Sequence, residues 1–365
     1  MIARPPSGSA SHGGTSLTVA IDELLLTKQA TLTRLFDTPR AASSRRTLLP
    51  MSLVVTGTIG IDTIHTPAGN AEKILGGSGT YFAAAASLYG PVRLVAAVGG
   101  DFPSEHRVLL ESFTGIDLAG LETRPASKTF AWGGKYLANM NSRETLFTDL
   151  GVLAEAPPKV PAAFADSRCV FLANTHPAVQ LGFIDSFPNR SLIVADTMDL
   201  WINIARPELI ALLARVDGLV LNFDEAELFT GKANPVTAGK HLLTLGPRFV
   251  VIKKGEHGAI LVHRDGIAAL PAFPTENVVD PTGCGDTFAG GLMASVANLT
   301  GWHRTGLTSA HTADLGSFDS IRRALVHGTI VASFNIEAFS LDRLKTVTVE
   351  ELSNRYQRYV AMTHI

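Results

Sequence analysis

The sequence predicts an α/β fold: a mainly parallel central sheet with helices on both faces and a small β lid. From Leu53 onward, short apolar runs of strand length alternate with amphipathic helical stretches, which is typical of a parallel sheet covered on both sides. Two segments, Asp62–Leu75 and Lys128–Leu146, interrupt this rhythm with mixed alternation and many polar residues. We interpret them as short strands that leave the sheet and form a lid, an element that can close to exclude water.

The individual elements follow from apolar runs bounded by charge or glycine. Strands are predicted at Leu53–Thr58, Val92–Val98, Cys169–Ala173, Leu192–Ala195, Gly218–Leu221, Arg248–Lys253 and Ala259–His263. Helices are predicted at Thr80–Leu88, Glu105–Phe113, Pro207–Leu213, Asp224–Phe229 and Val236–Leu245. Ligands of such sheets bind beyond the carboxyl ends of the strands. The polar residues that follow the predicted strands are therefore candidates for the site: Asp62, Asn174, Asp196, Asn222 and Lys253.

Three regions are predicted along the chain. Residues 1–50 are rich in Ser, Thr, Arg and Ala, and we expect a flexible, dispensable extension with one amphipathic helix at Ser16–Phe36. Residues 51–345 form the main domain, including lid segments 62–75 and 128–146, and residues 346–365 form a C-terminal helix. The polar stretch Gly301–Phe318 is longer than a simple connection and is predicted to be a surface insertion.

Composition excludes several classes of protein. The chain of 365 residues carries a net charge of −2, which gives no reason to expect nucleic acid or a membrane surface as a partner. No stretch approaches the ~20 apolar residues that a membrane span requires. Two cysteines, Cys169 and Cys284, are too few for a typical disulfide-stabilised secreted domain, so we expect a cytoplasmic protein. The histidine and cysteine spacings match no zinc site.

The strongest motif is the twelve-residue segment Asp280–Gly291, with the sequence DPTGCGDTFAGG. It follows a strand-like stretch, Glu276–Val279, and opens an apolar helix. Glycines at a helix start allow backbone N–H groups to converge on an anion. We therefore predict that Gly283, Cys284 and Gly285 form an anion hole for a phosphoryl group. Asp286, in the first helical turn, is placed to accept a proton from an attacking hydroxyl.

This segment closely resembles the C-terminal signature of the PfkB (ribokinase-like) carbohydrate kinase family. Asp62 and the pair Gly76–Gly77 match a second family element, and the resemblance implies that they hold hydroxyl groups of the substrate. A carboxylate can accept two hydroxyl hydrogen bonds, and glycine permits close backbone approach. A simple turn between the lid and the following helix is the alternative for Gly76 and Gly77.

Two further elements match the family in its order along the chain. Asn222 and Glu225 resemble an Asn-x-x-Glu element, which implies that they orient water bound to Mg²⁺ and the nucleotide phosphates. Taken alone, the acids that follow Asn222 would be solvated residues of a first helical turn. Lys253, Gly255 and Gly258 match a loop that lies along the nucleotide. The family usually has Thr at the position of Lys253, where an ammonium could instead contact a phosphate.

The chain also departs from the family. Tyr81 occupies the position of an Asn that contacts the sugar, and the lid is aromatic, with Phe130, Trp132 and Tyr136. These rings could stack on a base or cover the apolar face of a sugar, or they could pack the lid against the sheet. Cys284 replaces the usual Ala; it could be a thiolate nucleophile, but we expect it to be only a small residue in a tight loop.

The sequence also offers a candidate cation site and a second acid with two alternative roles. Asp280 and Thr282 match positions at which some relatives bind a monovalent cation, so K⁺ is a candidate beside ATP and Mg²⁺. Asp196 could contact the substrate or water on Mg²⁺, or it could cap the following helix.

The resemblance implies a kinase that transfers the γ-phosphoryl group of ATP to a hydroxymethyl group of a small sugar or polyol. A nucleoside kinase with the same mechanism is the alternative, and a catalytically silent nucleotide or sugar sensor is a second one. We further expect a homodimer formed through the lid. P-loop kinases are disfavoured, because the sequence has no Gly-x4-Gly-Lys-Ser/Thr.

Overall fold

The computed structural model describes residues 52–299 and 314–363. The predicted extension at 1–50, with its helix at Ser16–Phe36, and residues 301–313 of the predicted insertion lie outside the described residues. Within the described ranges, no helix is both long and apolar enough to cross a membrane.

The strands lie at Leu53–Thr56 (β1), Gly60–Thr66 (β2), Gly69–Gly76 (β3), Val92–Gly99 (β4), Ile116–Arg124 (β5), Phe130–Tyr136 (β6), Arg143–Asp149 (β7), Cys169–Leu172 (β8), Leu192–Asp196 (β9), Gly218–Asn222 (β10), Phe249–Lys253 (β11), Ala259–His263 (β12) and Gly266–Leu270 (β13). The helices lie at Ser78–Ser87 (α1), Ser104–Glu111 (α2), Pro177–Phe183 (α3), Asp199–Ile204 (α4), Arg206–Leu213 (α5), Phe223–Thr230 (α6), Pro235–Leu243 (α7), Cys284–Val296 (α8), Phe318–Asn335 (α9) and Val349–Thr363 (α10).

Nine strands form the large sheet in the order β13-β12-β11-β10-β9-β8-β1-β4-β5. All neighbours from β11 to β5 pair in parallel, whereas β12 and β13 form an antiparallel hairpin at one edge. The central strands are buried throughout, and side chains alternate between the faces. Val55 joins the core that contains helices α1, α8 and α9, and Val54 joins the core on the other face. The predicted fold class is confirmed by this architecture.

The prediction of strands differs from the structure at three segments. It missed β5 and β13, which are the edge strands of the large sheet and bury less apolar surface than the central ones. It was also wrong to expect a strand at Glu276–Val279, because no strand forms there. The N–H groups of Val279 and Asp280 instead donate to the carbonyl of Ile336 (2.8 and 3.2 Å), just beyond α9.

The small sheet has the order β3-β2-β6-β7 and is the β lid of the fold class. Along β2, buried and half-buried residues alternate, so one face of the strand points into the protein. β7 is the edge strand and is exposed along its whole length. Hereafter we call these four strands the lid.

Glycines in α8 bring the two halves of the site together. A Cβ on Gly290 would lie 2.5 Å from the carbonyl oxygen of Phe82 in α1, and one on Gly291 would lie 2.7 Å from the carbonyl oxygen of His327 in α9. The backbones of the three helices therefore approach more closely than larger residues would allow. As a result, the start of α8 lies next to the start of α1.

Candidate active site

The twelve-residue motif surrounds the start of α8, and we call residues 280–286 the anion loop. Gly283 precedes the helix and has a left-handed conformation with φ of 73°. No side chain caps this helix end, so its first N–H groups suit an anion, which the helix dipole also favours. A Cβ on residue 283 would overlap the ring of Tyr81. Both backbone conformation and packing therefore require glycine here.

Cys284 behaves differently from the two glycines of the predicted anion hole. Its N–H donates to the carbonyl of Pro281 (3.2 Å), which engages one of the three predicted donors within the loop itself. Its Sγ faces α9, 3.4 Å from Nδ2 of Asn335. Burial raises the pKa of Cys284 to about 12. The thiol is therefore protonated near neutral pH, which argues against a nucleophilic role.

Asp286 lies in the first turn of α8, beside Lys253 at the end of β11. Nζ of Lys253 is 2.7 Å from the position that a Cβ on Gly285 would take and 3.7 Å from Oδ2 of Asp196. Burial, together with the Asp196 carboxylate, raises the pKa of Asp286 to about 7, although Lys253 opposes this shift. Burial would lower the pKa of Lys253, but Asp196 and Glu225 raise it above its ordinary value. A carboxyl that titrates near neutrality thus lies beside a stable positive charge.

Asn222 and Glu225 form a reciprocal capping box at the start of α6. Oδ1 of Asn222 accepts from the N–H of Glu225 (2.7 Å), and Oε2 of Glu225 accepts from the N–H of Asn222 (2.8 Å). Asp224 is exposed, as expected for a solvated first-turn acid, but Glu225 is buried. Burial and the Asp196 carboxylate raise the pKa of Glu225 to about 8. The pattern therefore has a structural role as a helix cap, and Oε1 of Glu225 remains outside the capping box.

Asp62 lies on β2 at the inner side of the lid and is only 3% exposed. A Cβ on Gly76 would overlap its carboxylate, and one on Gly77, which has φ of 99°, would lie 2.5 Å from the carbonyl oxygen of Thr58. Burial first, and then the charges of Asp280 and Asp286, raise the pKa of Asp62 to about 8. Oδ1 has no hydrogen-bond partner in the described part of the chain. The predicted acceptor residues therefore lie close to the anion loop.

Tyr81 is in the interior of the protein, with 1% of its surface exposed. Its ring packs against Gly283, in the space that a Cβ there would need. Its hydroxyl has no hydrogen-bond partner among the described residues. The ring of Tyr81 therefore packs beneath the anion loop, and its contact with the acceptor stays a prediction.

Asp280 is completely buried at the start of the anion loop. Its Oδ1 accepts from the N–H of Thr282 (2.8 Å), whereas Oδ2 has no partner within residues 52–299 and 314–363. Burial raises the pKa of Asp280 to about 6. In the same described ranges, no three His, Cys, Asp or Glu side chains are grouped so that they could hold a metal ion by themselves. The free oxygen of Asp280 is suited to a cation that takes its other ligands from elsewhere.

The lid contacts both loops that border the site. The hydroxyl of Thr282 in the anion loop donates to Oη of Tyr136 on β6 (3.2 Å). Nδ2 of Asn141, before β7, donates to Oε1 of Glu256 (3.0 Å) in the predicted nucleotide loop. Gly255 and Gly258, which flank Glu256, have φ of 54° and 80°, as their positions in that loop require. The lid therefore connects the anion loop with the predicted nucleotide loop.

One polar cluster near the acceptor residues was only partly predicted. Asn174, expected from its position after β8, accepts on Oδ1 from Nε1 of Trp201 (2.9 Å), and its carbonyl accepts from Oγ of Ser78 (3.1 Å). Trp201 was missed, although an aromatic residue in the first turn of the helix that follows β9 is a signal that points to the same edge of the sheet. This cluster connects the end of β8 with the start of α1.

Comparison with known proteins agrees with this geometry. Residues 189–338 match the sequence profile of the pfkB family carbohydrate kinase. The cytidine kinase of Thermococcus kodakarensis is 30% identical to this chain over 253 residues, which cover 67% of this chain and 88% of that enzyme.

Two solved structures share the fold. The nucleoside kinase of Methanocaldococcus jannaschii, an archaeal member of the ribokinase family, aligns with a TM-score of 0.64 and 19% identity over 85% of this chain and 99% of its own. The aminoimidazole riboside kinase of Salmonella enterica, solved with aminoimidazole riboside and an ATP analogue, aligns with a TM-score of 0.64 and 18% identity over 84% and 99%. The chain belongs to the pfkB family of carbohydrate kinases and is a phosphotransferase that uses an alcohol group as the acceptor.

Proposed function

We propose that the protein transfers the γ-phosphoryl group of ATP to a hydroxymethyl group of a small sugar or polyol. The observation that carries the proposal is the juxtaposition of Asp62 on the lid with Asp286 at the uncapped start of α8. The two carboxyls are close enough for their charges to interact, and Lys253 lies beside Asp286. An acceptor bound by Asp62 would thus lie near the base Asp286, the anion site at the start of α8 and the positive charge of Lys253.

Each residue has a role that follows from its chemistry. Asp62 and the Gly76–Gly77 turn hold the acceptor: the backbone of Gly77 donates a hydrogen bond to the Asp62 carboxylate, and the free Oδ1 of Asp62 accepts from an acceptor hydroxyl. Asp286 takes the proton of the attacking hydroxyl, since its pKa of about 7 suits a base at neutral pH. The backbone N–H groups of Gly283 and Gly285 bind the phosphoryl group as negative charge develops on it. Lys253, whose Nζ lies beside Gly285, contacts a nucleotide phosphate.

The residues present also fit the expected cations. Mg²⁺ neutralises phosphate charge when it is bound, and Glu225 offers the carboxylate oxygen that its helix cap does not use. We propose that Glu225 and Asn222 orient water molecules of that ion. Asp280 and Thr282 would hold a monovalent cation such as K⁺, because Oδ2 of Asp280 is buried without a partner among the described residues.

A nucleoside is the second candidate acceptor. The relative with 30% identity is a cytidine kinase, and the solved neighbour from S. enterica binds a riboside. Trp132 pairs with Asp62 across β2 and β6, so that its ring lies on the side of the lid that faces the acceptor. That ring could stack on a base.

The lid also supports the predicted homodimer. β7 is an exposed edge strand, and its Leu146 and Phe147 are 47% and 44% exposed. Such an edge is suited to pairing with a second copy. We expect a dimer in sedimentation analysis that the substitution Phe147→Glu dissociates; a wild-type monomer would contradict this assembly.

A screen of purified protein against sugars, polyols and nucleosides, read as ADP release with ATP and Mg²⁺, tests the proposed function. We expect at least one acceptor with a hydroxymethyl group to stimulate ADP release, and the same acceptor lacking that hydroxyl to be inert. Stimulation by a nucleoside but by no free sugar would establish the second candidate. If no acceptor raised ADP release above the acceptor-free rate, the proposed function would be wrong.

A further inference from the structure

Arg143 places a positive charge on the inner face of the lid, and it has no role in the mechanism proposed above. Residues paired across neighbouring strands share a face of the sheet. Tyr136 on β6 pairs with Arg143 on β7, and Tyr136 reaches the anion loop through its hydroxyl. Arg143 is therefore on the side of the lid that faces the site.

Two contacts fix where Arg143 lies along that face. On one side, Tyr136 is hydrogen-bonded to Thr282 of the anion loop. On the other, Asn141 contacts the nucleotide loop, where its Oδ1 is 3.1 Å from the position that a Cβ on Gly255 would take. Arg143 is thus paired with the residue that contacts the anion loop and lies two residues from the one that contacts the nucleotide loop. The proposed transfer places the terminal phosphate near both loops.

The guanidinium of Arg143 is free to act on a ligand. Its Cζ is 5.8 Å from the centre of the Trp132 ring, and in the described part of the chain it forms no ion pair with an acid. The side chain is exposed, and its charge lowers the pKa of both Asp286 and Glu225. Arg143 therefore lies over the carboxyls of the site without being neutralised by them.

Charge balance explains why a second cation is needed there. The floor of the site carries the acids Asp62, Asp196, Glu225, Asp280 and Asp286. Lys253 is the cation paired with them. During transfer, charge spreads over the three equatorial oxygens of the phosphoryl group. Lys253 and the start of α8 stabilise this negative charge on one side of the phosphoryl group. On the side toward the lid, the negative charge would have no positive group beside it.

We propose that Arg143 is a catalytic residue supplied by the lid, and that its guanidinium binds the phosphoryl group during transfer. This inference rests on the proposed phosphoryl transfer. In that step the acceptor oxygen forms the new bond to phosphorus, its proton passes to Asp286, and the bond to the leaving ADP oxygen breaks. Arg143 takes no proton; it stabilises the charge on the oxygens that remain.

The variant Arg143→Met tests this, with Lys135→Met as the matched control. Lys135 is exposed on β6, the strand next to that of Arg143, and it precedes Tyr136 by one residue, so it lies on the opposite face of the lid. We expect Arg143→Met to lower kcat by about 10²–10³-fold, the range for loss of one transition-state charge contact. The Kd of ATP and the KM of the acceptor should change less than about threefold, and Lys135→Met should resemble wild type.

Two further readouts separate a chemical role from a structural one. Slow ATP hydrolysis in the absence of any acceptor should fall in parallel in Arg143→Met, and guanidinium ion should partly restore turnover to Arg143→Ala. Turnover of Arg143→Met close to wild type would overturn the inference. A raised acceptor KM with unchanged kcat would also overturn it, because Arg143 would then bind the acceptor. If wild type itself transferred no phosphate, the proposed function would fail, which is a separate result.

Discussion

The anion loop and the lid border the same site, but they are built in opposite ways. The anion loop is buried and tightly packed: Gly283 has no room for a Cβ, and Asp280 is fully inaccessible. The lid ends in β7, which is exposed throughout. The lid contacts the two loops through the polar side chains of Tyr136 on β6 and Asn141 before β7. The tightly packed anion loop can hold N–H groups and carboxyls in fixed positions, whereas the loosely held lid can move to admit substrates.

This comparison predicts that the two glycines of the anion loop fail for different reasons when changed to valine. Gly283→Val forces a left-handed φ on a branched residue and overlaps the Tyr81 ring, so we expect loss of activity and a lower melting temperature. A Cβ on Gly285 meets only the end of the Lys253 side chain. Gly285→Val should therefore lower kcat by about 10²–10³-fold with little change in melting temperature. Equal melting temperatures for the two variants would contradict the packing argument.

Asp286→Asn removes the proposed base and should lower kcat by at least ~10²-fold, while ATP still binds. The pKa of Asp286 is raised to about 7, and a base acts only when ionised. We therefore expect kcat/KM of wild type to rise with pH between about 5.5 and 8 and then to level off. A pH-independent kcat/KM over this range, or near-normal turnover of Asp286→Asn, would remove Asp286 from the mechanism.

Asp62→Asn should bind the acceptor less well but make the free protein more stable at pH 8. Burial raises the pKa of Asp62 from 3.8 to about 8, so the folded protein favours the protonated form. Its contribution to stability is present below pH 4 and is lost as the pH rises to 8. We expect a melting temperature a few degrees higher than wild type at pH 8, at about 2–4 °C per kcal/mol, and a smaller gain at pH 5. A lower melting temperature at pH 8 would contradict this sign.

Cys284→Ala should have the smallest effect. The thiol faces Asn335 and the carbonyl of Ala332, away from the proposed phosphate position, and alanine keeps the same backbone. We expect kcat within a few-fold of wild type, measured beside Gly285→Val in the same assay. Complete loss of activity in Cys284→Ala would require a thiol mechanism in place of the anion hole.

The sequence alone determined the parts of this protein that local patterns encode. Apolar runs predicted the central strands, because each is buried on both faces and needs no partner to be recognised. The edge strands β5 and β13 were missed, because their half-exposed residues resemble those of loops. The positions of Asp286 and of the glycines at the start of α8 could be predicted from their order within one short segment.

Only the tertiary structure decided which distant residues meet. Nothing local to Tyr81 shows that its ring fills the space beside Gly283, and nothing local to Lys253 shows that it lies between Gly285 and Asp196. The inner position of Arg143 depends on strand register, and a shift by one residue would turn it to solvent. Contacts of this kind join residues 146 and 213 positions apart in the sequence, so packing of the whole chain, rather than any local periodicity, determines them.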